Sequence, residues 1–437
     1  MSIDDTVSVT VTVYDAAPAV QDFGTIAILA AAPYVGEVRS YAPSSAGLSA
    51  MVTDGFTVND EAYRMVSAIA SQNPHTARPV KILPRDTGAN AQEMEFTPAY
   101  TTAGKRVLLT LEYLGIDHEV DVTIQAGDAA ADIIDDIVTD LGVISGLTIT
   151  DGSTKLTIKL TAADAARFHV KSVVGLTMLD VTADAGVATD LAAAIILDGD
   201  WYGLLLDSTA PAEIAAAAAW ALANDKLSAF ISLDSNNTTA SDGVAFDLGA
   251  LTNHNAVVLV THDSFGRGDA GIMGRQFSRT PGSSTWAHKA ISGQTPDAWT
   301  SAQFSVLRTN GALVYVTDQG VNHTYDGAAC SGRFADITRG IAWLRARIRE
   351  AVLAQIVNVE KIPYTQAGIG IVESAIYGVL SLAQSNGLLA SGWTVTSPEL
   401  STISTANKAN RILPDIKFAA TLAGAIQTVT IDGTVVV

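Results

Sequence analysis

Cysteine is nearly absent. The 437-residue chain holds one, Cys330, so no disulfide can form within it, and a reducing compartment is the simpler expectation. Uninterrupted apolar runs are short. The longest, the Ala-rich stretch 214–223, falls below the roughly 18 residues of a bilayer-spanning segment, so a packed helix is expected there and no membrane insertion. Positive charge is scarce too: 26 Lys and Arg stand against 45 Asp and Glu, for a net charge of −19. Phosphate binding needs a basic footprint, which argues against nucleic acid as a direct partner. The N-terminus, with Asp4 and Asp5 and no basic segment, does not read as a secretory signal. HExxH, GxSxG, Walker A and paired-cysteine motifs are all missing, so no catalytic, cofactor or metal residue is assigned.

What is present is material for a core: 48% hydrophobic and only 16% charged residues, enough for two or three domains or one large domain with an insertion. Strand-like runs at 24–30 and 80–83 enclose a helix pattern at 59–72, in which Ala62, Val66, Ile69 and Ala70 share a face. The same alternation resumes with 201–206, a helix at 211–224, and strands at 230–233 and 256–261. This is α/β grammar. Between them, from 93 to 186, paired strand patterns (107–113, 119–124, 147–150, 155–160) surround a helix pattern at 130–141, read as a small inserted α+β domain with β-rich character. The expected division is a strand arm at 1–15, a discontinuous core of 16–92 plus 187–420 with a mixed sheet flanked by helices, the insertion at 93–186, and a second arm at 421–437.

Two motifs invite chemistry. Gly266-Arg267-Gly268-Asp269-Ala270-Gly271 matches GxGxxG after a strand, but four residues intervene before the first glycine, no long helix pattern follows, and no acidic residue closes a second strand about 20 residues on. A Gly- and Ser-rich surface loop across 264–297 is the expectation. His254, His262 and Asp263 are metal-ligand types, but the two histidines bracket a strand and fall at its opposite ends. Cys330 has no partner motif and reads as a buried structural thiol.

The ends are β-prone. Residues 6–13 alternate strictly and put Val7, Val9, Val11 and Val13 on one strand face; Val429, Ile431 and Val435 repeat the pattern near the C-terminus. Each end either pairs with its own sheet or adds a strand to a neighbouring subunit. Ahead of the C-terminal strand, Ile337, Ile341, Leu344, Ile348 and Val352 recur at helical spacing, leaving Arg339, Arg345, Arg347 and Arg349 on other faces. Burying five such apolar side chains contributes roughly 1.5–3 kcal/mol each, so the helix is expected to pack while presenting guanidinium groups. Those groups either meet an acidic partner or pair with carboxylates of the same chain. A second helix pattern follows Pro363, with Val372, Ile376, Val379, Leu380 and Ala383 in register and Asn386-Gly387 as its stop.

The segments 332–390 and 407–437, together with "FGTIAILA" at 23–30, "SQNPHTARPVKILPRD" at 71–86, "DWYGLLLDS" at 200–208 and "PGSSTWAHKAISGQT" at 281–295, resemble the sheath proteins of contractile bacteriophage tails. They cover most of the chain outside 90–190, in the family's order. The resemblance implies a structural subunit, not an enzyme, that stacks as hexameric rings around a tail tube and contracts to drive the tube through the host envelope. It implies partners: other copies of the chain, the tail tube protein, and baseplate and tail terminator proteins. It also implies a place in the virion after assembly in the host cytoplasm. Strand exchange by the arms belongs to the same expectation, and Arg339, Arg345 and Arg349 are the candidate tube contacts. An α/β enzyme of unknown activity and another tail component, of the tube or baseplate, are the alternatives.

Overall fold

The computed structural model describes residues 20–85, 91–162, 166–184 and 186–429. They divide into two compact units, one of Asp22–Gly340 with 425–429 of the tail, the other of Ile341–Gly424 with residues 20–21. The expected division had no boundary at this point, which falls inside a continuous helix, Ala335–Asn358.

The larger unit is built on a six-stranded sheet ordered Ala256–Val260, Leu227–Ser232, Gly203–Leu206, Ile26–Ala30, Val80–Pro84, Arg39–Tyr41. The first five strands run parallel and the short edge strand runs antiparallel. Every residue of Ile26–Ala30 and of Ala256–Val260 is buried, as a parallel sheet covered on both faces requires, and this is why these strands read as continuous apolar runs. On one face Leu191, Ile214, Ala217, Ala218, Ala221 and Leu248 meet Leu29, Leu204, Phe230 and Val258 in a single apolar cluster. On the other lie helices Glu61–Ala70 and Gly268–Phe277, which also contact each other. The result is a mixed α/β fold with a doubly covered sheet.

Residues 93–180 carry two antiparallel sheets, one ordered Leu176–Asp180, Glu93–Pro98, Leu156–Leu160, Leu147–Asp151 and the other Ile116–Thr123, Arg106–Tyr113, His169–Val174. Helix Ala130–Leu141 buries Ile133, Ile134 and Ile137, as its spacing predicts.

Only part of the segment expected to loop over the surface does so: 278–297 forms no helix or strand, but the residues before it are a buried helix. Gly268–Phe277 is a helix with nine of its ten residues buried. Its glycines permit close approach: a Cβ on Gly274 would stand 2.8 Å from Ile69 Cγ2, one on Gly271 2.6 Å from Ile291 Cγ2, and one on Gly268 2.6 Å from Leu259 Cδ2. Glycine read as a loop signal here marks tight packing instead.

Candidate functional site

The smaller unit contains most of the two C-terminal helices and a two-stranded sheet. Along helix Ala335–Asn358 the buried positions are Ala335, Thr338, Arg339, Gly340, Trp343, Leu344 and Ala346. The expected apolar stripe is buried only at Leu344, and Ile337, Ile341, Ile348 and Val352 are half-buried. Trp343, with its larger apolar surface, takes the inward position.

Arg339 corrects the expected ridge. Its Nε and Nη2 donate to the Phe23 carbonyl at 3.1 and 2.7 Å, its Nη1 donates to the Gln276 carbonyl at 2.9 Å, and its guanidinium lies 4.4 Å over the Phe277 ring. Burial pulls it down to about 10, against the opposing influence of Tyr202 and Asp22, so it remains a cation at neutral pH. Its donors are used inside the larger unit.

Arg345 and Arg349 are exposed. Arg347 is half-buried and donates to Glu350 and to the Gln21 carbonyl, so the bland reading, pairing within the chain, holds for that residue. Leu353, Ile356 and Val357 are exposed at 47%, 57% and 52%. Arg345, Arg349, Leu353 and Ile356 follow one another at spacings of four, four and three residues, so one helix face runs from two cations to aliphatic side chains. Residues 341–424 carry seven Lys and Arg against five Asp and Glu, in a chain whose net charge is −19. The sequence pattern identified the two cations but not the aliphatic end, because those residues fit equally well on a buried face.

The second helix, Gln366–Ser385, begins at Thr365, whose hydroxyl accepts from the Gly368 N–H, and buries Ile369, Ile376, Val379, Leu380 and Ala383. It stops at Asn386, followed by Gly387 at φ 81°. By length and composition it is apolar enough to cross a membrane; within its unit Glu373 accepts from Ser397 Oγ at 2.6 Å. Beyond it, Thr394–Thr396 pairs antiparallel with Lys417–Ala419 and with no other strand among the described residues. All three residues of Lys417–Ala419 are exposed. A sheet of two three-residue strands is marginal alone, and each strand keeps a backbone edge able to accept another chain.

Val429 is exposed; Val7, Val9, Val11, Val13, Ile431 and Val435 lie outside the described residues. His254 and His262 stand at opposite ends of Ala256–Val260 as expected, His254 against Ser331 Oγ at 2.6 Å and His262 against Asp297 Oδ1 at 2.8 Å. Among the described residues no three His, Cys, Asp or Glu side chains group to hold a metal. Cys330 is buried, and burial pushes its thiol up to about 12.

Arg267 is no surface residue either. It is 1% exposed and donates to Leu206 O, Asp207 O, Glu61 and Asp269 at the carboxyl ends of the parallel strands. Burial raises Asp269 and the Arg267 charge opposes it; burial raises Asp263 in the same way.

Residues 335–397 match the family described as "E217 tail sheath protein gp31-like, C-terminal domain". The match falls on the two helices and the first strand of the small sheet, where the sequence resemblance was read. No curated protein matches. Among solved structures, the chain is similar to one in the anti-feeding prophage baseplate at 12% identity and a TM-score of 0.51, covering 98% of this chain and 99% of that one. It is also similar to the sheath tail protein Lin1278 of Listeria innocua (13% identity, TM-score 0.48, covering 92% and 95%). A third similar chain comes from the PVC sheath complex, an extracellular contractile injection system in its contracted state (11% identity, TM-score 0.49, covering 98% and 96%).

Proposed function

We propose that this chain, which carries a tail sheath C-terminal domain over residues 335–397, is the structural subunit of a contractile tail sheath. The family match is the observation that carries the reading. The fold shared with the anti-feeding prophage baseplate chain over nearly the whole of both chains supports it. The subunits would stack as hexameric rings around a tail tube and contract to drive the tube through the host envelope. Baseplate and tail terminator proteins would bound the polymer, assembled in the host cytoplasm and carried in the virion.

Such a device needs two packings of the same subunits separated by a modest energy, and tethers that persist while other contacts slide. The small sheet Thr394–Thr396/Lys417–Ala419, short and unpaired at both edges among the described residues, has the form of an acceptor. The donors would be the alternating strands around Val7, Val9, Val11 and Val13 and around Val429, Ile431 and Val435 of neighbouring copies, with main-chain hydrogen bonds supplying affinity. For the tube, the exposed Arg345 and Arg349 would meet carboxylates, while Leu353 and Ile356 on the same face would bury against an adjoining apolar strip.

A catalytic reading would draw on Asp263 and Asp269, both raised by burial at the carboxyl ends of the strands. Deleting residues 1–13 tests the arm on which the sheath reading depends. As a sheath subunit the variant stays a folded monomer and fails to polymerise; aggregation of unfolded chain would place that strand in its own core.

A further inference from the structure

Open α/β sheets bind ligands in the crevice outside the carboxyl ends of their parallel strands. Here a side chain of the same protein stands in that place. We infer that Arg267 fills this crevice from within, and that the ion network around it is the joint fixing the inserted domain to the core.

Arg267 Nη2 donates to Leu206 O at 2.6 Å and Nη1 to Asp207 O at 3.3 Å, capping the end of strand Gly203–Leu206. Asp269 accepts from its Nε and Nη2 at 3.1 and 2.6 Å, and Glu61 Oε2 from Nη1 at 2.8 Å. The backbone at Arg267 is left-handed, at φ 46°, held there by these contacts. The other Glu61 oxygen lies 2.7 Å from Nε2 of His169, a residue of the insertion. Two residues earlier, Arg167 reaches Glu213 Oε2 at 3.5 Å, while Arg85 bridges Glu213 at 2.7 Å and Asp207 at 3.0 Å. A third crossing pairs Arg64 of the core with Glu112 of the insertion at 2.7 Å.

The insertion therefore sends Arg167, His169 and Glu112 into a buried array of alternating charges, and its backbone joins in: Ser264 N donates to Val170 O at 3.0 Å. Partial opening that separates one member while the others stay buried leaves a charge uncompensated, which costs more than the intact pairs contribute to closure. Core and insertion move as one body, and the Arg267 side chain occupies the carboxyl end of strand Gly203–Leu206.

Amide hydrogen exchange on the full chain tests the joint. With Arg167→Ala and His169→Ala together, exchange is expected to rise at least tenfold in Arg106–Tyr113 and Ile116–Thr123, with Ile26–Ala30 and Leu227–Ser232 unchanged. Unchanged protection in the insertion, or equal acceleration in both regions, would overturn the proposal. If the double variant does not fold, Arg167→Ala alone is read by the same criterion. The filling role is tested separately by melting Arg267→Ala with and without low-millimolar methylguanidinium. Recovery of the lost melting temperature by the small cation, with none in the parent protein, is expected; no recovery overturns the claim that the crevice is guanidinium-shaped.

Discussion

Arg339→Ala discriminates best between what the sequence implied and what the fold does. The substitution removes three donors from the Phe23 and Gln276 carbonyls and a cation from above Phe277. Leaving a buried acceptor without its donor costs about 1–3 kcal/mol each. The Gln276 carbonyl still accepts from the Arg279 N–H at 3.1 Å, so the loss falls on the Phe23 carbonyl and is about 1–3 kcal/mol, and relief from burying a guanidinium without a carboxylate partner keeps the total near the lower half of that span. Arg339 lies in a unit of roughly 320 residues. At roughly 2.1 cal/mol/K of unfolding entropy per residue, each kcal/mol lowers the melting temperature by about 1.5 °C, so a drop of about 1.5–3 °C is expected. Differential scanning calorimetry measures it, and co-sedimentation with the tail tube protein is read below the melting point. The account predicts reduced stability with co-sedimentation retained. An unchanged melting temperature with co-sedimentation lost would show that Arg339 faces a partner, as the helical spacing alone had implied, and would refute its assignment to the interior.

The converse pattern is expected of Arg345→Glu with Arg349→Glu: both residues are exposed, so the melting temperature stays within about 1 °C while co-assembly with the tube is lost, and unaffected co-assembly would reduce the pair to a solvated face. Burial pushes the Glu61 carboxyl up from its ordinary 4.5, but His169, Arg267 and Arg64 outweigh it and bring it to about 2. A carboxyl lowered in the folded state contributes stability that is fully present above pH 4.5 and is lost as the pH falls toward 2, so Glu61→Gln should flatten the stability–pH curve in that window, and an unchanged acid limb would contradict the pairing. Cys330, buried with its thiol pushed up to about 12, should resist thiol reagents at pH 8 in the folded protein and react fully in denaturant; rapid native reaction would contradict its placement.

Much of the fold was legible because its elements obey simple periods. The helix predicted over 130–141 is Ala130–Leu141, and the predicted strands at 24–30, 80–83, 107–113 and 256–261 appear within two residues of their observed ends. Continuous apolar runs marked the core strands, since strands covered on both faces have no polar side to alternate, while their parallel order came from the structure. Two kinds of information were not legible. Gly268, Gly271 and Gly274 recur at the three-residue spacing of a close helix contact, but glycine's usual meaning is a turn, and only the neighbouring Ile69, Leu259 and Ile291 reveal which applies. The fate of each arginine was equally hidden. Arg267, Arg339, Arg345 and Arg349 are alike in sequence; two are enclosed by carbonyls or carboxylates that, apart from Asp269 beside Arg267, come from residues 60 to more than 300 positions away, and two are exposed. Burial of a cation depends on partners that no local pattern contains. For the candidate site, the helix and its two exposed cations were legible, whereas the two-stranded sheet was not. Its strands are three residues long and show no alternation that would set them apart from loop.

The central claim is that this chain polymerises as a contractile sheath, and negative-stain electron microscopy of the purified chain, alone and with its tail tube protein, tests it most directly. The account predicts long hollow tubes with sixfold end views in at least one of the two samples. Uniform monomers or small oligomers in both would contradict it.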